Sequence, residues 1–375
     1  MKLLIVPKPD VSFYDLFFDA GYIPKPNLSK LKGYYKFNQV AYEYNYYSDI
    51  CHVNDGETHI LGSLHPQYLN APPADCTNPS ARLCPPVFPV RLSTARKDLA
   101  GYDALLCSSW SVEYAGDLLR SAKNAGVIIA IIDHADHENI FISRDPIELT
   151  RGLRPVSNFD LYFKKDLPIG MQSERILPLG PDPVRPESYN AESILPQTER
   201  KISVFFSGIL NKPTTIDQRD GLLQGVAKKI DASFINIIDV DDHYAKTGLL
   251  NNAEINEFMG KSRVVLCPPG RAWTTTRLTT SAIFGCVPMI AEPDCELVDL
   301  DFTRHEMALI YPNLRYLKGS QRDQAIKTAI DKIKFSISDI STLELMAKKW
   351  RECVLKNHTT EARASYILNC ILRLK

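Results

Sequence analysis

Val264-Val-Leu-Cys-Pro-Pro-Gly-Arg-Ala-Trp-Thr-Thr-Thr-Arg-Leu-Thr-Thr-Ser-Ala-Ile-Phe-Gly-Cys-Val-Pro-Met-Ile290 runs from one apolar strand to the next through a Pro-Gly loop and a short helix. The run at 264–267 is β-branched and apolar, and Pro268, Pro269 and Gly270 break it. Helical character then extends from about Thr275 to Phe284, and Gly285 supplies the stop before the strand at 287–290. Strand, helix and strand in that order make the repeating unit of a parallel sheet. Such a turn also presents unpaired backbone N–H groups and the positive end of a helix dipole, which suit a phosphate. Arg271 and Arg277 add guanidinium forks shaped for phosphate oxygens. From this pattern alone, a nucleoside diphosphate site and a tight turn with two solvated arginines are equally good readings.

The same alternation extends in both directions. Strands are expected at 2–6, 104–107, 127–132, 161–163 and 176–179, and again at 202–206, 234–238, 264–267, 287–290 and 308–311. Between the two sets, 178–197 holds five prolines, which deny the donors a sheet or helix interior needs and mark a linker. With 375 residues, more than one core is expected to fill. The reading is therefore α/β with two Rossmann-like domains, 1–185 and 186–375, facing across a cleft. Ile326, Ile330, Ile333 and Ile337 fall on one helical face, and a last helix is expected over 359–374. Residues 10–100, rich in tyrosine and proline, suggest loops and short strands that suit either an acceptor surface or the packing of an irregular edge.

Composition narrows the function classes. Lys and Arg number 44 and so do Asp and Glu, so no global field gathers nucleic acid or an anionic bilayer. No apolar run is long enough to span a membrane, and the first nine residues are too short for a signal peptide, so a cytoplasmic protein is expected. Nine scattered cysteines without a CxxC pair read as reduced core residues. No Walker loop, Gly-x-Gly-x-x-Gly fingerprint or Gly-x-Ser-x-Gly elbow follows a strand, which counts against P-loop, dinucleotide and serine-hydrolase chemistry.

In its order of parts, the 264–290 segment resembles the donor-binding region of exostosin-like glycosyltransferases within the GT-B superfamily. There an apolar strand leads into a Pro/Gly loop, an arginine opens a helix, and the helix ends at Gly-Cys-x-Pro before another apolar strand. Tyr162-Phe-Lys-Lys-Asp166 and Ile176-Leu-Pro-Leu179 resemble that family's last strands before the linker. Ser203-Val-Phe-Phe-Ser-Gly208, with Arg219 further on, resembles the first strand, glycine turn and helix of its C-terminal domain. The resemblance covers roughly 125–315. It implies a nucleotide-sugar donor held by Gly208, Arg219, Gly270, Arg271 and Arg277, and a glycan or other hydroxyl acceptor. Where the family has a ribose-binding glutamate three residues after the helix arginine, this chain has Thr280; Glu292 or Asp294 could substitute.

A second cluster, Ile131-Ile-Asp-His-Ala-Asp-His-Glu138, ends the strongest N-terminal strand. Ligands of open α/β sheets bind outside the carboxyl ends of strands. An inverting transferase needs a base for the acceptor proton, and Asp136, then His134, with Asp133 beside them, suit that role. Helix capping by these carboxylates is a close competitor, and a metal site is a weaker one because His134-x-x-His137 lacks a third spaced ligand. Asp239-Val-Asp-Asp242 and Asp299-Leu-Asp301 match the Asp-x-Asp by which GT-A enzymes hold a divalent cation, but so short a pattern recurs by chance. No metal and no cofactor is therefore required in this reading, although a divalent cation at those carboxylates stays open. Two alternatives also stay open, a nucleotide-sugar epimerase of the same architecture and a non-catalytic sugar-binding protein. Peripheral association with membrane-bound acceptors is compatible with the transferase reading.

Overall fold

A computed structural model describes residues 1–6, most of 50–61, 87–90, 99–109, 112–133, 159–184, 186, 189, 194–210, 216–239, 250–270 and 273–375. The chain divides into two compact units, one made of 1–167, 171–179 and 360–375 and the other of 168–170 and 180–359.

The first unit is built on β1 (Leu3–Val6), β2 (Thr58–Leu61), β3 (Val87–Val90), β4 (Ala104–Ser108), α1 (Val112–Asn124), β5 (Ile128–Asp133), β6 (Leu161–Lys164) and β8 (Ile176–Pro178), and the division between the units falls within the short β7 (Leu167–Pro168). Seven of these strands form one sheet in the order β3-β2-β1-β4-β5-β6-β8. Every pairing in it is parallel. Because side chains alternate across a strand, continuous apolar runs bury both faces. Leu4, Val6, Leu105, Cys107, Ile129, Ile131 and Tyr162 fill one face beneath α1, which lays Ala115, Leu118, Leu119 and Ala122 on them. Leu3, Ile5, Leu106, Ala130, Ile132 and Phe163 fill the other.

The second unit comprises β9 (Ile202–Leu210), α2 (Ile216–Lys229), β10 (Ser233–Asp239), α3 (Asn252–Gly260), β11 (Ser262–Cys267), α4 (Thr276–Ile283), β12 (Val287–Ala291), the short β13 (Cys295–Glu296), α5 (Phe302–His305), β14 (Leu309–Tyr311), α6 (Gly319–Ser338) and α7 (Ile340–Asn357). Its sheet runs β10-β9-β11-β12-β14 and is again wholly parallel. One face, with Val204, Phe206, Leu266, Met289 and Tyr311, packs under α2 and α6. The opposite face, with Phe205, Val265, Cys267 and Ile290, packs against Leu278, Ala282 and Ile283 of α4 and Trp350 of α7. A capping box between Asn251 and Glu254 starts α3, satisfying donors the helix itself cannot.

The chain then returns to the first unit through α8 (Thr360–Leu372). Ala364, Ile367, Leu368 and Ile371 cover the face of the first sheet that α1 leaves open. Burial of each large aliphatic side chain there contributes about 1.5–3 kcal/mol. The division at Gly180 thus precedes the proline-based boundary at 186, and the final helix belongs with the N-terminal strands rather than with 186–375.

Candidate functional site

In the second sheet the chain moves outward from β9 to β10 on one side and to β11 on the other. The carboxyl ends of β9 and β11 therefore flank a topological switch point, where open parallel sheets bind ligands. Ser207 and Gly208 lie at one side of it, and Pro268, Pro269 and Gly270 follow the other strand.

Arg277 enters from α4. The helix starts at Thr275, whose backbone is extended and whose hydroxyl makes no capping bond, and stops where Gly285 takes φ 63. A side chain at Gly285 would be strained and would also meet Ile194 Cγ2 at 2.6 Å. Arg277 sits in the first turn, donates from Nη1 to the Ser207 carbonyl at 2.8 Å, and lies 4.6 Å over the Phe206 ring. Gly208 makes this placement possible, since a Cβ there would stand 3.0 Å from Arg277 Nη1 and 3.1 Å from Phe206 Cζ. Arg219, from α2, donates through Nε to the Pro269 carbonyl at 2.9 Å and through Nη2 to the Pro268 carbonyl at 3.4 Å. Three of the expected donor-site residues, Gly208, Arg219 and Arg277, thus gather at one strand edge, with Gly270 next to the proline that anchors Arg219.

Two guanidiniums stand together here, Arg219 buried and Arg277 half-buried. Burial, and after it the neighbouring Arg277 charge, lowers the Arg219 pKa to about 10. Burial lowers Arg277 as well, opposed by Cys267. Cys267 cannot serve as a counter-ion, because burial pushes its thiol up to about 12 and keeps it neutral. Burial likewise raises Tyr311, at the end of β14, so the phenol keeps its proton. Among the described residues no carboxylate pairs with Arg277. Its Nε, the Thr275 hydroxyl and the Tyr311 hydroxyl are all buried without a hydrogen-bond partner among the described residues. Leaving such groups unmade costs about 1–3 kcal/mol each. Supplying an anion here would therefore satisfy groups that the fold leaves short.

The remaining expected residues distribute as follows. Thr280 is buried, with its hydroxyl 3.4 Å from that of Tyr189. Thr276 donates to the Asp182 carboxylate at 3.2 Å and Thr279 to its carbonyl at 2.7 Å, so these threonines of α4 engage the 182–189 segment while Arg277 turns to β9. Glu292 is exposed after β12, and its N–H donates to the Tyr311 carbonyl at 2.7 Å. Asp294 accepts from Asn313, Arg315 and Tyr316. Asp301 caps α5 by accepting from the Arg304 N–H at 2.8 Å. Arg271, His134, Asp136 and His137 lie outside the described residues, as do Val240, Asp241 and Asp242.

In the first unit Asp133 ends β5 and is fully buried. It accepts from Ser109 Oγ at 3.1 Å and from Tyr162 OH at 2.6 Å, and Lys164 Nζ stands 3.4 Å away, also fully buried. Sequence reading named Asp133 but not these partners. A lysine two positions after Tyr162 in a strand buried on both faces was the available signal, because such a charge demands a partner. Phe206 and Tyr311 were missed as well, each read only as part of a strand.

No family model matches the chain, and no curated protein does. Solved structures do. HepE of Anabaena in complex with UDP superposes with a TM-score of 0.55 at 10% identity, covering 100% of both chains. The fold is GT-B. A glycosyltransferase from Rickettsia africae shares the GT-B fold at TM-score 0.54 and 9% identity, over 100% of this chain and 98% of that one. Sucrose-phosphate synthase from Thermosynechococcus elongatus gives 0.50 at 13%, over 100% and 99%. A looser likeness to TarM, at TM-score 0.47 and 14% identity, covers 75% of this chain and 58% of its counterpart.

Proposed function

We propose that the chain is a glycosyltransferase that moves a sugar, a hexose or a related one, from a nucleotide-sugar donor to a glycan or other hydroxyl acceptor. The observation that carries the proposal is the pair of guanidiniums, buried Arg219 and half-buried Arg277, at the β9–β11 switch point, with no described carboxylate pairing Arg277. In the scheme these groups stabilise the negative charge that grows on the leaving diphosphate, and buried donors that are already oriented do this without reorganising. Gly270, Arg271, Thr280 and Glu292 complete the donor site in the proposal, within the exostosin-like pattern. Guanidinium charge takes the place of a divalent cation. That HepE was solved with UDP and with UDP-glucose agrees with a donor of this class. Asp136, with His134 as second choice, is the proposed base for the acceptor hydroxyl. Asp133, already engaged by Ser109, Tyr162 and Lys164, holds the strand end in place. The proposed setting is cytoplasmic, with acceptors that include membrane-bound glycans. Among the described residues no helix is long and apolar enough to cross a membrane.

The test is a panel of nucleotide sugars read by thermal shift, where a ligand at 100 times its Kd stabilises by about 2.7 kcal/mol. The ligand that stabilises should be consumed, with release of its nucleoside diphosphate, only when an acceptor is added. Isomerisation without an acceptor would mean an epimerase, and binding without turnover a sugar-binding protein. With the acceptor in hand, Asp136→Asn should lower turnover by about 10² to 10⁴.

A further inference from the structure

Tyr311 is 2% exposed, yet among the described residues its hydroxyl has no hydrogen-bond partner. Tyr311 closes β14, beside Ala291 of β12, on the sheet face that also carries Phe206. Arg277 covers Phe206 on that same face, and Arg219 of α2 lies near enough to bear on the phenol. The hydroxyl is therefore at the carboxyl edge of the sheet, next to the arginine cluster, and still protonated at neutral pH. A phenol packed only for its ring would be replaced at no loss by phenylalanine, which brings no polar atom to desolvate. An oxygen kept there without a partner fits a group that completes its bond when a ligand arrives.

We infer that Tyr311 donates its hydroxyl proton in a hydrogen bond to a phosphate oxygen of the donor diphosphate, as a neutral ligand beside Arg219 and Arg277. This rests on the reading of the cluster as the diphosphate site. It adds a residue from strand β14 to the two guanidiniums carried by α2 and α4. It also predicts an unusual pair of effects, because the same atom costs the unliganded protein stability and contributes to ligand affinity.

The experiment compares the parent protein, Tyr311→Phe and Arg277→Gln, with UDP and inorganic pyrophosphate as probes, by calorimetry and by melting temperature without ligand. Tyr311→Phe should melt at the parent temperature or above it, yet bind both probes about tenfold more weakly, the effect of losing a hydrogen bond to a charged group. Equal affinity of Tyr311→Phe and parent would overturn the inference while leaving the diphosphate site intact, provided Arg277→Gln binds weakly. A melting temperature below the parent's would assign the hydroxyl to the fold and also overturn it. A loss for UDP but not for pyrophosphate would move the contact away from the phosphates. No binding of either probe by the parent would overturn the site reading and the inference together.

Discussion

Two strand edges in this molecule carry buried charge, and they treat it in opposite ways. At the edge of the first sheet, Asp133 and Lys164 are both fully buried and stand against each other, with Ser109 and Tyr162 donating to the same carboxylate. At the edge of the second sheet, half-buried Arg277 stands beside buried Arg219 with no described carboxylate of its own, and among the described residues the hydroxyls of Thr275 and Tyr311 have no partner. Both edges lie where parallel sheets place ligands, so position alone does not separate them. Satisfaction does. Charge that is paired inside the fold holds the fold, whereas charge left without a counter-ion is available to a ligand. In the proposed function the anion goes to the second edge, and Asp133, already engaged by Ser109, Tyr162 and Lys164, holds its strand end.

The largest effect that would break the contrast is on stability. Lys164→Ala leaves the Asp133 carboxylate buried and uncompensated, which should cost about 3–5 kcal/mol in urea unfolding. Combining Lys164→Met with Asp133→Asn removes both charges and keeps an acceptor for Tyr162, so the loss should shrink. If the single variant unfolds like the parent, the first edge is not the internally satisfied one. A middle effect concerns space at the second edge. Gly208→Ala puts a Cβ 3.0 Å from Arg277 Nη1 and 3.1 Å from Phe206 Cζ, so the guanidinium and the ring must give by a few tenths of an ångström, which strains the bond to Ser207. Diphosphate affinity measured by calorimetry should weaken by about 1 kcal/mol, the worth of an ordinary hydrogen bond. An unchanged affinity would mean the guanidinium placement does not matter to the ligand.

The smallest effect is in pH. Arg219 has a folded pKa near 10, below its ordinary value, because burial and then Arg277 disfavour its charged form. From about 10 upward the unfolded chain binds more protons than the folded one, so this group makes stability rise with pH rather than fall. The penalty is fully present at neutral pH and is relieved as pH passes upward through that window. Subtracting the unfolding free energy of Arg219→Gln from that of the parent at several alkaline pH values should isolate the rise. A flat difference would mean that Arg219 is not desolvated.

Much of this was legible before the fold was known, and the parts that were not share a cause. The strands of the second sheet could be read from apolar runs bounded by glycine and proline, and Arg277 from its place at the head of a helix. β2 and β3 were hidden in a tyrosine- and proline-rich region, and Val87–Val90 contains Pro89, which argues against a central strand. β3 is in fact at the edge of its sheet, where a missing donor is tolerated. Helix α7 has Leu343, Met346, Trp350 and Val354 at helical spacing, a signal that was present but not used. The destination of α8 was not legible, because an apolar stripe does not say which of two open sheet faces it will cover. The same limit applies to Asp133 and Tyr311. Their roles depend on whether distant strands bring them partners, and only the register of the sheets decides that.

The most direct test of the contrast is Arg277→Met, measured for unliganded stability and for UDP binding on the same preparation. Removing a half-buried charge that has no described carboxylate partner should leave urea unfolding close to the parent, while losing a charge-assisted contact should weaken UDP by about 1.5–3 kcal/mol, or roughly ten- to a hundredfold. A variant that unfolds easily and still binds UDP as the parent does would make Arg277 a structural residue and contradict the account.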